Sequence, residues 1–216
     1  ITPKATQTDA SKYDPKGDNL KVIQGSTIEA KDFIKNKEDM PIGTGYEFVD
    51  DNGDPVTPDT NKLGKQDLKI KVTFPDKSTK IVPAKMDVVP KDNIVKVDDP
   101  DHTPVPTGYV RVTLVNDKTS VETYKEVYDV KVEAKIKYGD VLLRAADPQP
   151  NDKYTTPITW KMNNNPVDKL GVIADTSTLT AFAKLKDSEA YEPEVQDQTV
   201  KQGQTPKAED SISNKD

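Results

Sequence analysis

Residues 13–38, YDPKGDNLKVIQGSTIEAKDFIKNKE, return 178 positions later as residues 191–216, YEPEVQDQTVKQGQTPKAEDSISNKD, without a gap. Eleven of the 26 aligned positions are identical: Tyr13/Tyr191, Pro15/Pro193, Val22/Val200, Gln24/Gln202, Gly25/Gly203, Thr27/Thr205, Ala30/Ala208, Asp32/Asp210, Ile34/Ile212, Asn36/Asn214 and Lys37/Lys215. Chance similarity scatters its matches and needs gaps, whereas self-similarity at a fixed period is the mark of a tandem array. The second stretch therefore reads as the truncated start of another copy. It carries an opening strand and a helical turn without their partner strands. Such a segment is expected either to fray or to dock on a neighbouring chain.

The repeat period exceeds the commonest single-domain size, which favours two small domains over one large one. Charged residues make up 31% of the 216-residue chain and hydrophobic ones only 33%, so the cores are expected to be small. The net charge of −6 disfavours binding to a phosphate backbone or to an anionic lipid surface. Cysteine is absent, which excludes disulfides, thiolate metal sites and cysteine nucleophiles together. No apolar run approaches the roughly 20 residues that a spanning helix needs. The chain begins at Ile1 and reads as a piece of a longer one.

Residues 1–12 show no periodicity and are expected to be a linker. Leu20–Ile23 reads as a short strand, and Thr27 as the N-cap of a helical turn on which Ile28, Phe33 and Ile34 share a face. Tyr46–Val49 is a strand candidate ahead of Asn52-Gly53, the strongest short hairpin signal. Leu68, Ile70, Val72 and Phe74 then alternate with Lys69, Lys71 and Thr73, the pattern of a strand with one buried and one wet face. A turn at Pro75–Ser78 leads back into Thr79–Val89. Short strands at this spacing predict a small β-sandwich over 13–97.

The run Asp98-Asp99-Pro100-Asp101-His102-Thr103-Pro104-Val105-Pro106 is acidic and proline-spaced, and is expected to be a stiff, extended connector between domains. A second domain follows over 107–190. Its elements are an alternating strand through Val110, Val112 and Leu114, a strand at Val127–Val132, and a short helix over 141–146 with Asp140 as cap. A strand at Ile158–Met162 carries Trp160, a turn follows at Asn163–Pro166, and a last strand runs through Leu179, Ala181 and Ala183. Strands around one short helix make this unit α+β.

Several stretches carry a family resemblance: Tyr191-Glu192-Pro193-Glu194-Val195, Thr199–Gly203, Pro206–Asp210, Ile212–Asp216, and in the first copy Pro41–Tyr46, Thr57–Gly64 and Val72–Asp76. They resemble Rib domains, the repeats of the Rib and alpha-like surface proteins of Gram-positive bacteria. Gly17–Leu20 and Asp54–Val56 depart from that pattern, so the first copy reads as a longer variant. The middle unit, through Val127–Val130, Tyr138–Asp140, Thr159-Trp160 and Ser177–Ala183, resembles the B-repeat modules of bacterial surface proteins. The resemblance implies a mainly β chain, an Ig-like β-sandwich followed by a small β-grasp-like domain in tandem. It also implies an extracellular, cell-wall-anchored location and a stalk role, in which repeats carry a distal binding region away from the wall. The alternative is an adhesive module that binds a host protein or glycan, or associates with its own kind, as in biofilm formation and virulence. Expected partners are neighbouring repeats of the same chain, and host surfaces or like chains on other cells.

No residue set supports catalysis or a cofactor. Asp50, Asn52 and Asp54 have the spacing that opens a calcium loop, but Pro55 stands where glycine is needed and Asn61 where a bidentate Glu belongs, so a turn is expected. Asp98, Asp99 and Asp101 are the remaining candidates for a cation that stiffens the junction. His102, the only histidine, lies in the connector, where a catalytic relay has no buried, oriented imidazole. No acid pair is marked by an apolar pocket, which leaves a wall-active hydrolase without support. Trp160 is expected in a core. The strand lysines alternate outward, away from any Lys–Asn isopeptide geometry. Catalytic, cofactor and metal residues are all expected to be none.

Overall fold

The computed structural model describes residues 5–214. Ile1–Lys4 of the expected linker, and the last matched residues Lys215 and Asp216, lie outside the described residues. The chain is mainly β, with 37% strand and 13% helix in two sheets. The strands are β1 (Asn19–Ile23), β2 (Gly45–Val49), β3 (Gly64–Thr73), β4 (Thr79–Val89), β5 (Ile94–Lys96), β6 (Tyr109–Asn116), β7 (Lys125–Lys131), β8 (Tyr154–Met162), β9 (Asn165–Pro166) and β10 (Ser177–Leu185). The helices are α1 (Asp9–Lys12), α2 (Tyr138–Leu142) and α3 (Asp187–Ala190). Contacts divide the chain into two compact units. One runs to Arg111 and includes Val127–Lys137 and Val172–Thr176; the other comprises Val112–Glu126, Tyr138–Gly171 and the chain from Ser177. This division does not coincide with a connector at 98–106.

In the first unit, a four-stranded sheet has the order β1-β4-β3-β2. β3 and β4 form the long antiparallel hairpin, with β2 antiparallel on one side and β1 parallel to β4 on the other (Val22 opposite Val88). Period-two alternation puts Leu68, Ile70, Val72, Val82, Ala84, Met86 and Val88 into one core, while Lys69 and Lys85 reach outward to Asp51 and Asp67. The opposite layer of the sandwich is thin. Its fully buried part is the 3₁₀ turn Ala30–Phe33 with Ile34, flanked by Tyr13, Ile28 and Met40, and Phe33 meets Phe48 edge-on at 5.7 Å.

Two local expectations are corrected here. The turn opens at Ala30, two residues later than a Thr27 cap requires, and no side chain caps it. Its buried residues, Ala30 and Phe33, fix its position by packing against the sheet. Residues 9–12, expected as linker, form α1, whose free N–H groups are satisfied from far along the chain. Asp9 N–H donates to Asp76 Oδ2 (2.8 Å) and Ala10 N–H to Ser78 Oγ (3.0 Å).

The second sheet has the order β5-β7-β6-β10-β8-β9. β10 runs parallel to β6 and antiparallel to β8, and α2 falls between β7 and β8 in the chain. A hairpin, a short helix and a return strand parallel to the first strand make the β-grasp arrangement. The β8–β9 turn places Asn163 and Asn164 at φ of 50° and 64°, the left-handed region that Asn tolerates. α2 starts at Tyr138, so Asp140 lies inside its first turn and is not its cap.

Just ahead of the acidic run lies an unexpected strand. β5 pairs with β7 (Ile94 opposite Val130), so residues ascribed to the end of the first sandwich are hydrogen-bonded into the second sheet.

Candidate functional site

The connector is organised around one side chain. Arg111, on β6, faces Asp129, on β7, with Nε to Oδ1 at 2.9 Å and Nη2 to Oδ2 at 3.0 Å. Both groups leave water: the Asp129 residue is 1% exposed and the Arg111 side chain 15%. Two further donors of the guanidinium go to backbone. Nη1 donates to Pro100 O (2.9 Å) and Nη2 to Thr103 O (2.8 Å). Four hydrogen bonds from one planar fork are beyond a lysine. The Asp129 carboxylate raises the Arg111 pKa further above its ordinary range and holds it charged. The expected extended connector is thus a turn clamped to a strand. Around it, Thr107 Oγ1 donates to Asp87 Oδ2 (2.6 Å), and the Tyr109 hydroxyl donates to Asp92 O (2.8 Å) and Pro90 O (3.2 Å). Burial and the nearby Asp92 charge push the Tyr109 phenol up. Pattern reasoning missed this cluster because Arg111 sits at an ordinary alternation position of β6. Its signal was compositional: Arg111 is one of only two arginines among 31 basic residues.

The candidate cation residues take other roles. Asp50 Oδ1 accepts the N–H groups of Asn52 (2.8 Å) and Asp54 (3.0 Å), and Gly53 adopts φ +84°. This is an Asx-type turn that leads into the Val49–Pro55 bridge. Asp99 meets His102 Nδ1 at 2.9 Å in an exposed pair. Among the described residues, no group of three His, Asp or Glu could hold a metal. Trp160 is half-buried and meets Tyr124 edge-on at 6.0 Å, while Lys161 Nζ lies 4.6 Å above the Phe182 ring. One open groove of about 930 Å³ lies in the first unit, bordered by Phe48, Val56, Pro58 and Leu68 with Asp51 and Asn52 at its edge.

The repeated stretch folds twice in the same way. In the first copy, Lys35 N–H donates to Lys16 O, Asp18 N–H to Phe33 O, Lys16 N–H to Asn36 Oδ1 and Asn36 Nδ2 to Asp14 O. In the second, Ser213 donates to Glu194, Gln196 to Ser211, Glu194 to Asn214 Oδ1 and Asn214 Nδ2 to Glu192 O. Each partner is displaced by the 178 residues of the sequence repeat. The bridges Gly17–Ile34 and Val195–Ile212, the 3₁₀ turns Ala30–Phe33 and Ala208–Ser211, and the left-handed Gly25 and Gly203 also correspond. What differs is cover. Val22 is 7% exposed and Val200 45%. The second copy keeps the loop without the sheet, so it is not frayed throughout.

The model of the Rib domain matches residues 9–90 and 187–216, just over half of the chain. The chain belongs to the Rib domain family. The two matched segments contain both copies of the opening stretch, so the match and the internal repeat agree. A Rib domain structure from Streptococcus pyogenes is 32% identical and covers 38% of this chain and 99% of its own, with a TM-score of 0.35. A comparison with curated proteins gives no match. Rib domains are structural repeat modules of Gram-positive surface proteins, and this chain is a repeat segment of that kind. None of the described helices is long and apolar enough to cross a membrane.

Proposed function

We propose that this chain is a non-catalytic stalk segment of a cell-wall-anchored surface protein, in which successive Rib units and β-grasp-like units space a distal binding region from the wall. One observation carries the reading: the opening segment of a Rib unit is reproduced, with its loop-closing hydrogen bonds on matching residues, at a fixed offset of 178 residues. A tandem array of small units gives length without a large core. The test is to display one, two and four copies on a cell surface beneath a common epitope tag and to measure tag height. Height must grow with copy number; a height independent of copy number removes the stalk role.

A second reading, an adhesive module for host protein, glycan or like chains, draws on the open groove of the first unit. Immobilised matrix proteins and glycans separate the two. Saturable binding that is lost with Phe48→Ala and Val56→Ser together would favour adhesion, and absence of binding with intact height scaling would leave the stalk.

A further inference from the structure

The second opening segment has the backbone of the first but not its side chains, and the differences fall where the first copy meets its sheet. At Gly17, a Cβ would lie 1.8 Å from the carbonyl oxygen of Pro83 on β4, and 2.9 Å from that carbonyl carbon. The obstacle is backbone, which no rotamer change relieves. The corresponding residue is Val195. Phe33, 1% exposed and packed on Phe48, corresponds to Ser211. Leu20, packed against the same core, corresponds to Gln198. Gln198 and Ser211 answer each other within the second copy, where Gln198 Nε2 donates to Ser211 Oγ and to Lys207 O. A valine replaces the one residue that must lack a Cβ, and a bonded polar pair replaces the two apolar groups that fill the core.

We propose that Val195, Gln198 and Ser211 are specificity residues that bar residues 191–216 from the β1 position beside β4 of the first Rib unit, in this chain or in another copy. The shared features make such a barrier necessary. Both segments offer the same prefolded loop and carry the same Val, Ala and Ile at the positions that the first copy buries (Val22/Val200, Ala30/Ala208, Ile34/Ile212). In an array, the opening segment of one unit would otherwise compete for the sheet of another, a characteristic misassembly of repeat proteins. The mismatch is repulsive in two ways, a backbone clash and polar groups facing a dry core, and each discriminates without any gain for the correct partner. It also states what the second segment fits: a β3–β4-type hairpin that leaves room for a β-branched side chain opposite residue 195 and meets a small polar pair where Phe33 sits in the first unit.

The chain has no cysteine, so paired thiols report strand exchange directly. Val22 stands opposite Val88 in the parallel register, and the equivalent intruding contact is Val200 with Val88. The full chain carrying Val88→Cys and Val200→Cys is unfolded in urea, refolded at high concentration, oxidised and mapped by mass spectrometry. The same is done with Val195→Gly, Gln198→Leu and Ser211→Phe added. The added substitutions should raise the yield of the 88–200 disulfide about a hundredfold, the ratio that loss of one large aromatic group from a core implies. In a second pair, Val22→Cys with Val88→Cys, the 22–88 disulfide should form fully in the native background, which shows that the sheet assembles with Cys at 88, and should fall in the triple variant only as far as the 88–200 disulfide rises. Equal 88–200 yields in the two backgrounds, whether high or low, overturn the proposal.

Discussion

Replacing Arg111 by Met keeps the length of the stem and removes the guanidinium. The structure sets the magnitude. Asp129, 1% exposed, loses both hydrogen bonds of its bidentate partner, and the Pro100 and Thr103 carbonyls lose one donor each. Stranding one member of a buried ion pair costs about 3–5 kcal/mol. Arg111→Met is therefore expected to lower the unfolding free energy of the first unit by that amount, in urea titrations followed by circular dichroism and by hydrogen exchange at β5 and β7. Replacing both residues, Arg111→Met with Asp129→Leu, removes the stranded charge. The double variant should recover at least about 2 kcal/mol relative to the sum of the single effects, a coupling typical of residues in direct contact. The loss should also persist at 0.5 M salt, since buried pairs are screened far less than surface ones. A loss below about 1 kcal/mol, or one that vanishes with salt, would place the pair among ordinary surface bridges and refute the clamp.

Other perturbations test the rest of the molecule. Phe33→Ala should cost about 3–5 kcal/mol in the same urea assay, because it empties the thin layer opposite the sheet. Gly17→Ala should cost about 1–3 kcal/mol, as its Cβ meets the Pro83 carbonyl; a neutral result would show that β4 yields there. Tyr109 has its folded-state pKa raised above the ordinary 10, so the neutral phenol is favoured by folding. Its contribution is complete below that ordinary value and disappears as pH rises through the higher folded value. Tyr109→Phe should therefore flatten the alkaline decline in stability above about pH 10. Asp76→Asn should speed amide exchange at Asp9, since the carboxylate caps α1. Asp76 has a lowered pKa, with hydrogen bonds from Ser78 and the Asp9 amide, so acid should loosen the same amide as pH falls through the folded value.

The sheets were legible where burial acts on one face. Leu68–Phe74 and Thr79–Val89 alternate because one side meets the core, and that rule needs no tertiary information. The second unit was legible for the same reason, and its turn at Asn163–Asn164 was marked by residues that tolerate positive φ. Three features were not. β5 is three residues long, too short for a period to show, and its order comes from β7. α1 takes its caps from Asp76 and Ser78, 67 and 68 residues away. Arg111 looks like any polar position of an alternating strand until Pro100, Thr103 and Asp129 are brought around it. The repeat itself was plain in the sequence. The meaning of its mismatches was not, because Gly17 is exceptional only in view of Pro83.

The doubled loop also has a temporal side. Its hydrogen bonds join residues no more than 22 apart, such as Asn36 with Asp14 and Asn214 with Glu192, whereas β1 must await β4, with Asn19 opposite Lys85. Local closures of this size are complete within microseconds, while parallel pairing between distant strands is slow. A chain that emerges from its N-terminus can therefore shape each loop well before the matching hairpin exists, and carries it as a finished part. Pulse-labelled exchange should find the Asp18 and Lys35 amides protected ahead of those in β4. Assembly of such an array is then a matter of delivering ready-made corners to sheets that arrive later, in the order the chain presents them.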